Sequence, residues 1–172
     1  MTGVKHIEEI ELVESEQKIV KFLVKYKQQQ CNLKGMTHTI VGKQSDEETQ
    51  LEGMGAEIAA AKILNVWPDL DHSDAEIHDF YVNRWTVDVK ATKYPYGKLI
   101  LPIHKSTEKA CDYYVLMTGT FPKYRFAGAA SKKELINKKN ISSLGYNKIY
   151  MLEQHELKSI EEFLDETKAR TQ

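Results

Sequence analysis

A chain of 172 residues with a net charge of −1 has the length of one ordinary domain, enough to bury a real hydrophobic core. Its 41% apolar and 28% charged residues match a soluble globular protein, and no run of about 18 apolar residues is present to span a membrane. The opening Met1-Thr2-Gly3-Val4-Lys5-His6 lacks the apolar stretch of a signal peptide, and Cys31 and Cys111 share no metal-type spacing, so a cytoplasmic protein is expected.

Residues Ile7–Leu12 alternate apolar and charged side chains, which predicts a half-buried strand. Glu14–Gln30 carries Ile19, Phe22, Leu23 and Tyr26 at helical spacing, which predicts an amphipathic helix with that set toward a core. Cys31–Asp46, with Gly35 and Gly42, reads as a loop. A second helix is expected over Glu47–Asn65, ended by Pro68 and the polar cluster Asp69–Asp74. The pattern then turns to strands: Ile77–Val82, Trp85–Thr92, Lys98–Leu101 and Asp112–Thr118, with Tyr124–Ala129 continuing the sheet. Cys111 lies in one of these apolar runs and reads as a reduced core thiol. Ser131-Lys132-Lys133-Glu134 has the spacing of a capping box and should start a short helix. A last strand over Ile149–Leu152 and a helix over Glu156–Thr167 complete a mixed α/β domain. Residues 1–46 lead into it, 47–137 form its core and 138–172 close it.

The small net charge hides an asymmetry. Val41–Phe80 holds ten acidic residues against two lysines, whereas Thr86–Asn140 holds eleven Lys/Arg against four acids. The basic stretch suits a phosphate backbone, and equally a solvated lysine-rich surface.

The richest stretch runs from His78 to Lys90. Asn83-Arg84 is the expected tip of a tight hairpin, which sets Val82 opposite Trp85, Phe80 opposite Val87 and Asp79 opposite Asp88. Phe80, Val82, Trp85, Val87 and Val89 then share one face, and Asp79, Asp88 and Lys90 the other. A one-residue slip would scramble both sets. Two opposed aspartates repel, so they must raise each other's pKa or share a cation. A hard divalent ion, Mg²⁺ or Mn²⁺, suits such oxygen ligands, and Lys90 would add a positive charge beside it. A wet surface carrying an ordinary salt bridge is the competing reading.

Glu57 adds a third acid. In the second helix its neighbours at −4, +3 and +4 are Gly53, Ala60 and Ala61, a small face able to approach a sheet closely. Gly53 and Gly55 inside a helix each cost about 1 kcal/mol relative to alanine, which close packing would offset.

Glutamate in a first core helix, aspartate on a strand and Asp-x-Lys on its hairpin partner resemble the PD-(D/E)XK nuclease superfamily. The matching residues are Glu57, Asp79 and Asp88-Val89-Lys90, over roughly Leu51–Leu101. Gly53–Asn65 and Asp79–Ile100 are similar in particular to small uncharacterised proteins of this type carried by phages and plasmids. The resemblance implies a four-stranded mixed sheet flanked by helices, and Mg²⁺- or Mn²⁺-dependent cleavage of DNA by an endonuclease. By residue, it implies that Glu57, Asp79, Asp88 and the Val89 carbonyl hold the metal, and that Lys90 positions or activates the attacking water. It is compatible with a homodimer, and with a host-cytoplasmic location for a phage-encoded protein. RNA and branched substrates stay open. The alternative is a non-catalytic nucleic-acid- or protein-binding module that keeps the nuclease fold. Asp74 rivals Asp79 as the first acid, although its even number puts it on the Phe80 face of an unbroken strand.

Lys93, Tyr94, Tyr96 and Lys98 around the loop Tyr94-Pro95-Tyr96-Gly97 are candidates for contact with nucleic acid, through stacking and charge. Lys123 and Arg125, in an expected hairpin, are candidates for phosphate contacts, with turn or core use the competing reading. Zinc is not expected, because His72 and His78 lack partner cysteines. His78 is a candidate supporting group near the metal. No Ser/His/Asp motif is found, and Gly53-x-Gly55 lacks the strand and lysine of a phosphate loop.

Overall fold

The structure, a computed structural model, describes residues 8–33, 46–70, 78–106 and 110–169. In chain order the elements are β1 (Glu9–Glu11), α1 (Glu14–Leu33), α2 (Asp46–Ile63), β2 (Phe80–Val82), β3 (Trp85–Thr92), β4 (Leu99–Pro102), α3 (Ile103–Ser106), β5 (Tyr113–Thr120), β6 (Lys123–Ser131), α4 (Lys132–Leu135), β7 (Ile141–Leu144), β8 (Asn147–Leu152) and α5 (Ile160–Ala169). Among the described residues no helix is long and apolar enough to cross a membrane.

A five-stranded mixed sheet has the order β1-β6-β5-β3-β2, with β3 and β5 parallel and every other neighbouring pair antiparallel. Strand alternation then dictates the layers. From β5, Tyr113, Val115 and Met117 join Val20 and Val24 of α1, Ala56, Ala59 and Ala60 of α2, and Ile160 and Phe163 of α5. Tyr114 and Leu116 point the other way and pack with Leu99, Leu101 and Leu152. Helices therefore cover one face of the sheet, and the antiparallel sheet β4-β8-β7 packs against the other.

The mixed α/β class is as expected, but the single four-stranded sheet is not. Leu99 pairs with Leu152, so the strands expected over Lys98–Leu101 and Ile149–Leu152 build their own sheet. Its third strand, Ile141–Leu144, went unforeseen because Ile-Ser-Ser-Leu lies on a largely exposed edge and carries no clear alternation. The Ser131 cap is present: its hydroxyl accepts the Glu134 amide at 3.4 Å, and the Glu134 carboxylate accepts the Ser131 amide at 2.8 Å.

Helix α1 forms where expected, and of its expected inward set Leu23 alone packs on the core. Ile19, Phe22 and Tyr26 are 52%, 67% and 50% exposed, while Val20 and Val24 are buried. The competing stripe Val20-Leu23-Val24 has the same helical spacing, and packing against α2 chose it. Glu16 of α1 meets Lys62 of α2 at 2.6 Å, which ties the start of one helix to the end of the other. The expected loop over Cys31–Asp46 falls mostly outside the described residues, as do His72 and Asp74.

Candidate functional site

The hairpin register is the expected one. Val82 pairs with Trp85, Tyr81 with Thr86 and Phe80 with Val87. The tip residue Asn83 has φ 55°, a left-handed conformation that asparagine tolerates well. Phe80, Val82, Val87 and Val89 are buried against the helical layer, with Trp85 packed on the same cluster.

β2 stops at Phe80, and the chain changes its bonding there. The Asp79 amide donates to the Val87 carbonyl at 2.8 Å, and the Asp79 carboxylate accepts the Val89 amide at 2.6 Å. Asp79 thus grips β3 on both sides of Asp88, so the two acids lie beside each other as expected, though not as a regular ladder pair. The N–H and C=O of a strand residue point to the same side, so the Val89 carbonyl also faces the Asp79 side of β3. Beyond Val87 the β2–β3 pairing ends among the described residues, and the Asp69 amide donates to the Asp79 carbonyl at 2.8 Å.

The charges of three acids act on one another there. Burial pushes the Asp79 carboxyl up to about 8, and the charges of Glu57 and Asp88 both add to that shift. Glu57, half-buried on α2, is likewise raised by burial and by Asp88, against the opposing charges of Lys27 and Lys90. Lys90 lies two residues beyond Asp88 and its ammonium contacts Asp88 Oδ2. Burial works against the Lys90 charge, but Asp88 and then Asp79 outweigh it and hold the pKa above the ordinary lysine range. Cys111, buried and free, sits within reach of the same charges; burial first, then Asp88 and Asp79, push its thiol up to about 12. It is therefore an inert core thiol at neutral pH, as expected.

Among the described residues, no three or more His, Cys, Asp and Glu side chains are gathered as a group that could hold a metal ion. One oxygen each of Asp79 and Asp88 is engaged, by the Val89 amide and the Lys90 ammonium. Carboxylates whose charges oppose one another are stabilised by a shared cation or by a proton.

The glycines of α2 divide in role. A Cβ on Gly55 would come within 2.3 Å of the Tyr124 hydroxyl and 2.9 Å of the Phe121 ring, so the close approach expected of this helix occurs there. Gly53, one turn before Glu57, has no atom within 4 Å of an added Cβ among the described residues. Gln50, two turns before Glu57, has buried amide atoms without a hydrogen-bond partner among the described residues.

The outlying candidates are placed differently. Tyr94 and Tyr96 are 64% and 90% exposed, and the Lys93 ammonium lies 5.5 Å from the Tyr94 ring centre. Lys98 pairs with Glu153 at 2.6 Å, Lys123 with Glu11 at 3.3 Å, and Arg125 donates to Gln154 at 3.0 Å. Gln154 in turn donates to the carbonyls of Pro95 and Gly97, both at 2.8 Å, and so fixes the tyrosine loop. His78 turns away from the carboxylates: its Nε2 is 3.5 Å from Asp69 and its ring meets Tyr81 edge-on. Sequence reading missed Lys27 and Gln154, because contacts from 30 and about 57 residues away leave no trace in local spacing. Compared with known protein families, curated proteins and solved structures, the chain matches none.

Proposed function

We propose that this protein is a metal-dependent nuclease of the PD-(D/E)XK type, acting on DNA through Glu57, Asp79, Asp88 and Lys90. What supports the reading is the placement of Asp79 on the Val89 amide at 2.6 Å, beside Asp88 and its Lys90 partner, with the charges of Glu57 and Asp88 adding to the shift that burial imposes on Asp79. Such mutual repulsion destabilises the apo site and favours a hard cation, Mg²⁺ or Mn²⁺. Glu57, Asp79 and Asp88, with the Val89 carbonyl, would hold it. When bound, the ion supplies a water of lowered pKa and stabilises charge on the phosphate.

The chain's own residues have separable tasks. The Val89 amide fixes the Asp79 carboxylate against β3. Glu57 brings its charge from the helical layer to bear on Asp79. Lys90, held in its charged form by Asp88 and Asp79, positions or activates water and neutralises developing phosphate charge. Tyr94 and Tyr96, steadied by Gln154, offer exposed rings beside the end of β3. A cytoplasmic site of action belongs to the same proposal.

The test is cleavage of supercoiled plasmid and single-stranded DNA with Mg²⁺, Mn²⁺ or EDTA, comparing the wild type with Lys90→Ala. Nicking that requires metal and is lost in the variant supports the reading. Activity surviving Lys90→Ala removes this site from the chemistry. Wild type that cleaves nothing yet retards DNA in a gel shift moves the protein to the binding-module reading.

A further inference from the structure

Helix α1 exposes a surface that the carboxylate site does not use. Phe22 and Tyr26 are largely exposed, with ring planes within 16° of parallel and centroids 6.5 Å apart, and Ile19 extends the stripe. From Gln17 to Leu33 the helix carries Lys18, Lys21, Lys25 and Lys27 and not one acidic residue. At about 100° per residue, Lys18 and Lys25 border the Phe22 side of the stripe. Leu23 and Lys27 lie across it toward the buried face.

Rings alternating with lysines suit a polyanion that offers flat apolar faces, and nucleic acid with unpaired bases is such a ligand. Paired duplex bases hide those faces in the stack. A second copy of the same helix is disfavoured, because that side carries Lys18, Lys21 and Lys25 against the single acid Glu14, which already pairs with Lys18 at 2.7 Å. A lipid surface calls for a broader apolar face than three side chains.

We infer that α1 is a binding surface for unpaired nucleic acid, with Phe22 and Tyr26 stacking on bases and Lys18 and Lys25 taking phosphates. The substrate class that such a surface suits is a single strand, flap or bulge. That it is a substrate rests on the nuclease reading, and the test is a binding measurement made in EDTA, apart from cleavage.

The probes are a fluorescein-labelled oligothymidine of about 20 nucleotides, a duplex of equal length, and phosphatidylserine vesicles, titrated with the full chain. The wild type should bind the single strand more tightly than the duplex. Phe22→Ala/Tyr26→Ala should weaken single-strand binding about tenfold or more, given the usual contribution of base–aromatic stacking. Lys18→Ala/Lys25→Ala should lower the slope of log affinity against log salt by about 1. A thermal melt matching wild type keeps these readouts separate from folding. Equal single-strand affinity for the wild type and the aromatic variant overturns the inference. So do tighter binding to duplex or vesicles, absence of single-strand binding, and loss of a dimer in the aromatic variant by sedimentation. Failure of the nuclease reading looks different: metal-dependent cleavage is missing while the binding contrast in EDTA persists.

Discussion

The Asp79 carboxylate accepts the Val89 amide at 2.6 Å, and this bond stands where a regular β2–β3 ladder would have continued through His78. A side chain has replaced main chain as the partner of a buried strand amide. Asp79 is thereby fixed beside Asp88 with its charge strongly disfavoured, so one residue both completes the sheet edge and loads it electrostatically.

Asp79→Asn should therefore stabilise the metal-free protein, since an amide oxygen can still accept from Val89 while the repulsion disappears. Asp79→Ala should destabilise it by about 1–3 kcal/mol by leaving that amide unpaired. Urea unfolding in EDTA measures both. If the two variants shift the midpoint in the same direction, repulsion is not the dominant effect at this position.

The pH dependence follows from the same group. Its carboxyl titrates at about 8 in the folded chain against an ordinary 3.8, so the folded state holds the extra proton between those values. Asp79 then contributes no penalty below about pH 4, a penalty growing by at most about 1.4 kcal/mol per pH unit up to about 8, and a constant one above. Melting temperatures in EDTA should fall for the wild type relative to Asp79→Asn as pH rises from 5 to 8. Added Mg²⁺ should stabilise the wild type more at pH 8 than at pH 6, because protons compete with the ion. Parallel melting curves for the two proteins across this range would exclude the assignment.

The two helical glycines should respond oppositely to alanine. Gly53→Ala meets open space and should stabilise by roughly 0.5–1 kcal/mol through helix propensity. Gly55→Ala drives a methyl into Tyr124, whose buried hydroxyl is tied to Glu52 at 3.2 Å, and should cost about 1–3 kcal/mol. Chemical denaturation of the pair is a direct check on how α2 sits against β6.

Helix α1 offers a similar contrast. Val20→Ala removes a fully buried side chain and should lose about 1–2 kcal/mol, whereas Phe22→Ala should change stability by less than about 0.5 kcal/mol. A large loss at Phe22 would mean that the expected set Ile19, Phe22, Leu23 and Tyr26 faces inward after all.

Local chemistry made much of this protein readable from the chain alone. The β2–β3 register was legible because period-2 alternation in Phe80–Val89 allows one pairing only, and Ser131-x-x-Glu134 was legible because a capping box is satisfied within four residues. The same register sets Asp79, Asp88 and Lys90 on one face of the hairpin. What the tertiary structure decided was everything settled by competition between similar local patterns or by distant partners. Two stripes of α1 have helical spacing, and only packing against α2 selects Val20 and Val24 over Ile19 and Phe22. Leu99 reads as a strand residue in any sheet, and only its pairing with Leu152 sends it to the second one. The charge that Lys27 and Asp88 impose on Glu57 likewise depends on chain folding between them, because Coulomb energy follows distance in space and not along the sequence.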